Sequence, residues 1–260
     1  MKLSFVSQGE GPAVVILHGL FGSGRNWAGI ARQLAETRRV YLLDARNHGE
    51  SPWDGSMTYD EMAGDVAEFM DAEQLDRPVV LGHSMGGKTA MTLALSHGDR
   101  LGGLAVADIA PVAYGVRFDD FVGAMRGLDL SAVARRADAD ALLAPAVPEP
   151  GVRAFLLHNL AAEGGGYRWR LNLDAIAANN QALAGFDAGA SGRAYDGPAL
   201  FLCGAASDYV LPEHEPEIRR LFPTAGIDRI AGAGHWLHAD HPREFIDRLG
   251  RFLAAIYAVD

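Results

Sequence analysis

The segment Val79-Val80-Leu81-Gly82-His83-Ser84-Met85-Gly86-Gly87, with the helical run Lys88 to Ser96 behind it, restricts this chain more than any other. A short β-branched run ended by glycine reads as a strand buried on both faces, and a helix that follows at once demands a sharp turn. Gly-x-Ser-x-Gly in that setting is a nucleophile elbow, in which the turn lifts the Ser84 hydroxyl clear of the sheet and strains its backbone. Neighbouring chains then come so close that only hydrogen fits at Gly82 and Gly86. The first N–H groups of the helix face the same place and favour a developing negative charge.

Similar short apolar runs occur at 13–17, 40–44, 104–108, 199–204 and 227–230. Between them lie helical periods. Tyr59, Met62, Ala63, Val66, Phe69 and Met70 share one face, as do Phe245, Ile246, Leu249, Phe252, Leu253 and Ile256, opposite Arg243, Glu244, Asp247, Arg248 and Arg251. Strands alternating with helices predict an α/β fold, a mostly parallel central sheet with helices on both faces and ligands at the carboxyl ends of the strands. Residues 113–195 break the alternation with helical segments but no convincing buried strand, punctuated by Pro145, Pro148, Pro150 and Gly164-Gly165-Gly166. We therefore expect a core of 1–112 and 196–260 and a helical cap of 113–195 over the strand ends.

A serine nucleophile needs a base. Gly232-Ala233-Gly234-His235-Trp236-Leu237 lies between the last strand-like run and the final helix, so His235 returns over the strand ends from the far end of the chain. Its place after Ser84 in the chain agrees with that role. His238 and His241 read as parts of the final helix start, with Asp240 as its N-cap. His18, His83 and His48 read as structural. The acid that orients the base has two candidates. Asp208 follows the run at 199–204, one residue further from Gly204 than in the usual Gly-x-x-Asp, and Asp108 ends the run at 104–108. Either tip can reach a histidine. Leu17-His18-Gly19-Leu20-Phe21-Gly22-Ser23 can present the Leu20 N–H beside that of Met85, two donors for one oxyanion. Phe21 and Trp236 are expected to line the substrate pocket.

Composition excludes other classes. With 23 Lys+Arg against 33 Asp+Glu the formal net charge is −10, which disfavours nucleic acid and anionic membranes as partners. The single cysteine, Cys203, cannot form an internal disulfide or a cysteine-rich metal site, and it reads as a small buried hydrophobe. No apolar run approaches a membrane span and the first residues hold no apolar signal core. The expectation is a cytoplasmic protein, a monomer or small homo-oligomer, with no metal.

These segments together resemble the α/β-hydrolase superfamily from about Val14 to the last helix. His18-Gly19-Leu20-Phe21-Gly22-Ser23, Asp44-x-Arg46-Asn47-His48-Gly49-x-Ser51-Pro52, Gly82-His83-Ser84-Met85-Gly86-Gly87-Lys88 and Asp108-Ile109-Ala110-Pro111-Val112 are similar to the small YbfF-type esterases, related to the mitochondrial abhydrolase-domain-11 group. The resemblance implies a cap between strands 6 and 7, hydrolysis of a small-molecule substrate (a short- to medium-chain ester or an acyl thioester) with no cofactor, and Asp108 as the triad acid. Asp208 departs from that pattern and leaves both acids available. A carbon–carbon bond hydrolase, a perhydrolase and a non-catalytic receptor could carry the same constellation. Tyr167-Arg168-Trp169-Arg170 could meet an anionic substrate portion, though such residues more often solvate a surface.

Overall fold

Val14 and Ile16 pack on one side of the central sheet, Val15 and Leu17 on the other, so the apolar run around them is buried from both directions. The computed structural model describes residues 1–115 and 118–257; residues 116–117 of the inserted stretch and 258–260 of the expected core lie outside it. The strands are β1 (Phe5–Gln8), β2 (Ala13–Leu17), β3 (Arg39–Leu43), β4 (Val79–His83), β5 (Gly103–Ala107), β6 (Leu160–Glu163), β7 (Gly166–Trp169), β8 (Ala199–Gly204) and β9 (Gly226–Ile230). Seven of them form one sheet in the order β1-β3-β2-β4-β5-β8-β9. All its pairings are parallel except β1 against β3. The inserted stretch enters after β5 and leaves before β8. That is between the fifth and sixth strands of this seven-stranded sheet in chain order, where the expectation was between strands 6 and 7.

The helices are α1 (Ala28–Leu34), α2 (Tyr59–Ala72), α3 (Met85–His97), α4 (Asp119–Arg126), α5 (Arg136–Leu143), α6 (Pro150–Leu157), α7 (Leu173–Ala178), α8 (Asn180–Ala184), α9 (Glu215–Leu221), α10 (Leu237–Asp240) and α11 (Pro242–Tyr257). α1 and α11 cover one face through Ile30, Leu34, Phe245, Leu249 and Leu253. α2, α3 and α9 cover the other through Val66, Met70, Met91, Leu93 and Ile218. α2 starts at a capping box in which Thr58 and Glu61 satisfy each other's backbone N–H. Asp240 is not the cap of α11, since its carboxylate accepts from Gly234 N and the His241 carbonyl takes the first helical bond, from Phe245 N.

The inserted stretch corrects the purely helical expectation. β6 and β7 form an antiparallel hairpin that pairs Leu160 with Trp169. Gly164 and Gly165 both have positive φ, 59° and 85°, the backbone of the tight primed turn that matches strand twist. With only two or three residues of each strand apolar, the run lacks the pattern of a buried strand. Leu160 and Trp169 are buried in one cluster with Val122, Met125, Leu143 and Leu156 of the inserted helices. β1 also escaped prediction because it is an edge strand with Val6 62% exposed.

Candidate active site

Chain order reverses at β2, which has β3 on one side and β4 on the other, and a crevice opens at such a point beyond the strand ends. Ser84 stands there, immediately after β4. Its φ of 52° and ψ of −117° leave the ordinary L-residue regions, as the elbow requires. A Cβ at Gly82 would lie 2.1 Å from Gly86 O, and one at Gly86 would lie 2.4 Å from Leu17 O, so both glycines are demanded by close backbone packing. The next strand is in register with β4: His83 pairs with Ala107, and Ser84 N donates to Ala107 O at 3.1 Å. Ser84 and Asp108 thus leave the sheet side by side.

Asp108 also has positive φ, 50°. Its Oδ1 accepts from Gly204 N at 2.8 Å, and its Oδ2 accepts from His235 Nδ1 at 2.8 Å and from the Ser207 hydroxyl. The bond to Asp108 fixes Nδ1 as the protonated nitrogen of a neutral imidazole and leaves Nε2 for other work. Tyr209 stacks on the imidazole with centroids 3.9 Å apart and planes at 20°. From the opposite side the His83 Nε2–H donates to the His235 carbonyl at 2.8 Å. Burial pushes His83 well below the ordinary histidine range, so it serves as a neutral strut. Asp208, the other candidate acid, is exposed on the loop after β8, and His235 Nδ1 bonds Asp108. No hydrogen bond joins the Ser84 hydroxyl to His235 among the described residues; such pairs often close only around substrate.

Met85 opens α3, so its N–H has no acceptor within the helix. Leu20 lies in the turn after β2, where Phe21 has φ 61°. Three side chains hold this turn. His18 spans from Gly19 O at 2.8 Å to Ala45 N at 3.0 Å. His48 accepts from Phe21 N at 3.2 Å and donates to Arg46 O at 2.9 Å. Asn159, from the inserted stretch, donates its side-chain amide to Phe21 O at 2.8 Å. Burial lowers His48 to about 3, with neighbouring His18 adding to the effect, which keeps it neutral and able to accept.

Ser84 and His235 both line a cavity of about 240 Å³ walled by Leu20, Phe21, Phe118, Phe155 and Trp236. An outer groove of about 520 Å³ shares Asn26, Val152, Phe155, Trp236 and His238 with it. On another side of Ser84 is a small chamber of about 30 Å³, lined by Met85, Lys88, Tyr59, Tyr114 and Phe118 among others. The structure therefore brings together Ser84, His235, Asp108, Leu20, Met85, Phe21 and Trp236, and leaves Asp208 outside. Sequence reasoning missed Asn159, Tyr209, Ser207 and Lys88. The first three meet the site only through tertiary contacts, but Lys88 stands in the elbow segment itself and was legible as a charge beside the candidate nucleophile. His238, read as part of the helix start, is instead buried against Trp27, the rings 4.0 Å apart and 10° from parallel. Cys203 is buried on β8, and burial pushes its thiol up to about 12. Among the described residues no group of three His, Cys, Asp or Glu is disposed to hold a metal ion, and no helix is long and apolar enough to cross a membrane.

Comparison with known proteins supplies the relatives of this arrangement. A family model described as the alpha/beta hydrolase fold matches residues 12–242. Over 251 residues the chain is 43% identical to the sn-1-specific diacylglycerol lipase ABHD11 of Mus musculus, covering 94% of this chain and 81% of that one. It is 37% identical to the esterase YbfF of Escherichia coli (strain K12), covering 95% of each. A solved marine microorganism esterase matches with a TM-score of 0.93 at 39% identity, covering 96% of this chain and 99% of the other.

Proposed function

Because this chain belongs to the alpha/beta hydrolase family and is a carboxylesterase-type hydrolase, we propose that it cleaves short- to medium-chain carboxylic esters through an acyl-enzyme on Ser84. The observation that carries this reading is the 2.8 Å bond from His235 Nδ1 to Asp108, with His235 facing the cavity that holds the strained Ser84. In the first half-reaction Ser84 Oγ attacks the carbonyl carbon and gives its proton to His235 Nε2. Asp108 stabilises the resulting imidazolium without itself taking the proton. The Leu20 and Met85 N–H groups hold the oxyanion, each worth about 2.7–4 kcal/mol in sites of this kind. Collapse of the tetrahedral intermediate expels the alkoxide, which leaves with the proton from His235. Water then repeats the sequence on the acyl-enzyme, releases the acid and restores the Ser84 hydroxyl.

Residues 113–195 are the cap in this reading. They supply Phe118, Phe121, Val152, Phe155 and Leu156 to the cavity wall, an apolar lining that suits the hydrocarbon part of an ester. A thiol leaving group would follow the same steps, so acyl thioesters belong to the proposal. A cytoplasmic site of action fits the single buried cysteine and the net charge of −10.

The test is initial rates on p-nitrophenyl esters from acetyl to dodecanoyl and on acyl-CoA thioesters, with Ser84→Ala beside the wild type. Turnover on the shorter esters that disappears with Ser84→Ala is the expected result. Absence of Ser84-dependent turnover on every ester and thioester would refute the proposal.

A further inference from the structure

Lys88 lies one helical turn beyond the nucleophile, its N–H donating to Ser84 O at 3.0 Å, and its side chain is only 2% exposed. Its ammonium donates to Ala184 O at 3.0 Å and Gly185 O at 2.6 Å. It sits over the rings of Tyr59 and Tyr114, 5.5 Å and 4.8 Å from their centroids. Two of its three N–H groups are thereby used. Among the described residues no carboxylate forms an ion pair with it, Asp187 acting only at longer range. That is unusual, because buried charges are ordinarily paired. Burial accordingly pushes the ammonium down to about 7. The neighbouring hydroxyls are committed elsewhere: Tyr59 donates to Leu183 O at 2.7 Å, and Tyr114 donates to Tyr209 O at 2.5 Å.

This cation lines the 30 Å³ chamber that also contains Ser84 and Met85. Reaction geometry says which half of an ester belongs there. The leaving oxygen must receive a proton from His235, so the alcohol lies on the His235 side, in the 240 Å³ cavity. The small chamber is not lined by His235 but is lined by both oxyanion residues, Leu20 and Met85. It is therefore the direction left for the acyl substituent, with room for roughly two or three non-hydrogen atoms beyond the carbonyl carbon. We propose that this chamber is the acyl subsite and that Lys88 is its specificity-determining residue, selecting short acyl groups that carry an acceptor oxygen: a hydroxyl, an oxo group or a carboxylate. The inference rests on the hydrolase reading and adds to it a polar short acid joined to a larger apolar alcohol. The substrate oxygen takes the third N–H of Lys88 and supplies the partner that the protein withholds.

The experiment compares kcat/KM, divided by each ester's rate of hydroxide-catalysed hydrolysis, on phenyl esters that share one leaving group: acetate, propanoate, butanoate and octanoate against lactate, pyruvate and the half-ester of a two-carbon diacid. At least one oxygen-bearing ester is expected to exceed the alkyl ester nearest it in size by about tenfold, the scale of a hydrogen bond to a charged group. Rates are expected to fall from butanoate to octanoate. Lys88→Met is expected to bring the polar-to-alkyl ratio to about one and Lys88→Arg to retain part of it. Because the readout is a ratio, a general loss of rate or of folded protein cancels. A wild-type ratio of one or below for all three oxygen-bearing esters overturns the proposal with no variant needed, and so does an unchanged ratio in Lys88→Met. A rate that rises toward octanoate overturns the acyl assignment while leaving the hydrolase reading standing. Absence of Ser84-dependent turnover on every ester overturns both.

Discussion

The side-chain amide of Asn159 donates to the backbone carbonyl of Phe21 over 2.8 Å, joining the inserted stretch to the residue beside Leu20. The same amide also reaches Leu156 O at 3.1 Å, and the Asn159 carbonyl accepts from Arg170 N at 2.8 Å. One buried residue, through its side chain and its backbone carbonyl, thus ties three backbone segments together, and the turn it holds carries one of the two proposed oxyanion donors. Asn159→Ala leaves Phe21 O without its partner and is expected to cost about 1–3 kcal/mol of stability. If the turn loses its position, kcat should fall about tenfold or more with KM little changed, because an oxyanion contact acts in the transition state. A chemical melt and a Michaelis series on one aryl ester check both; equal changes in KM and kcat/KM would assign Asn159 to ground-state binding instead.

Two carboxyl variants separate the acids. Asp108→Asn is expected to lower kcat by about 10⁴-fold, because an amide at Oδ2 favours the wrong imidazole tautomer. Asp208→Asn is expected to stay within a few-fold of wild type. The measurement is turnover of the two variants at matched folded concentration, judged by near-UV circular dichroism.

Ser84 stores strain, and its φ of 52° is a conformation that glycine adopts freely. Ser84→Gly and Ser84→Ala should both be inactive. The glycine variant should nevertheless be the more stable of the pair by about 1 kcal/mol, since released strain of about 1–3 kcal/mol outweighs the entropy that glycine adds to the unfolded chain. Denaturant midpoints of the two variants decide this, and equal midpoints would remove strain from the account of the elbow.

Acid stability should follow the buried histidines. Burial lowers both His48 and His238 to about 3 in the folded protein, against about 6.5 in the unfolded chain. Above pH 6.5 both states are neutral and the two residues contribute no pH dependence. Below it the unfolded chain binds protons that the folded protein refuses, so stability falls steadily from about pH 6.5 toward pH 3. His238→Phe keeps the stack on Trp27 and removes one titrating group, so its stability should depend less steeply on pH across that window. Urea midpoints from pH 4 to 8 test the slope, and parallel curves for wild type and His238→Phe would contradict it.

Periodicity made the sheet legible because β2, β4, β5 and β8 are apolar on both faces, a pattern that only a covered parallel sheet satisfies. The elbow was legible for a second reason: Gly82 and Gly86 are the residues a Cβ would disqualify, so steric demand is written directly into the chain. β1 was not, since an edge strand with one wet face has weak composition, and neither was the β6–β7 hairpin, whose clearest mark is a pair of glycines read as mere punctuation. The acid stayed open for a geometric reason. Asp108 follows directly on β5 and Asp208 lies on the loop after β8, and only the tertiary path of the His235 loop decides which carboxylate Nδ1 meets. Lys88 shows a different limit: its identity is visible in the sequence, but that it lacks an anionic partner is a property of everything folded around it.

The proposed nucleophile and its proposed acid leave adjacent strands with Ser84 N bonded to Ala107 O, so the sheet itself sets their spacing. Along the chain, the stretch that walls the pocket leaves this frame after Asp108 and re-enters it at β8, whose last residue, Gly204, donates its N–H to the same carboxylate. Substitutions among the inserted residues that wall the pocket, Asn159 apart, can therefore rewrite the shape of what is admitted without altering the spacing of Ser84 and Asp108.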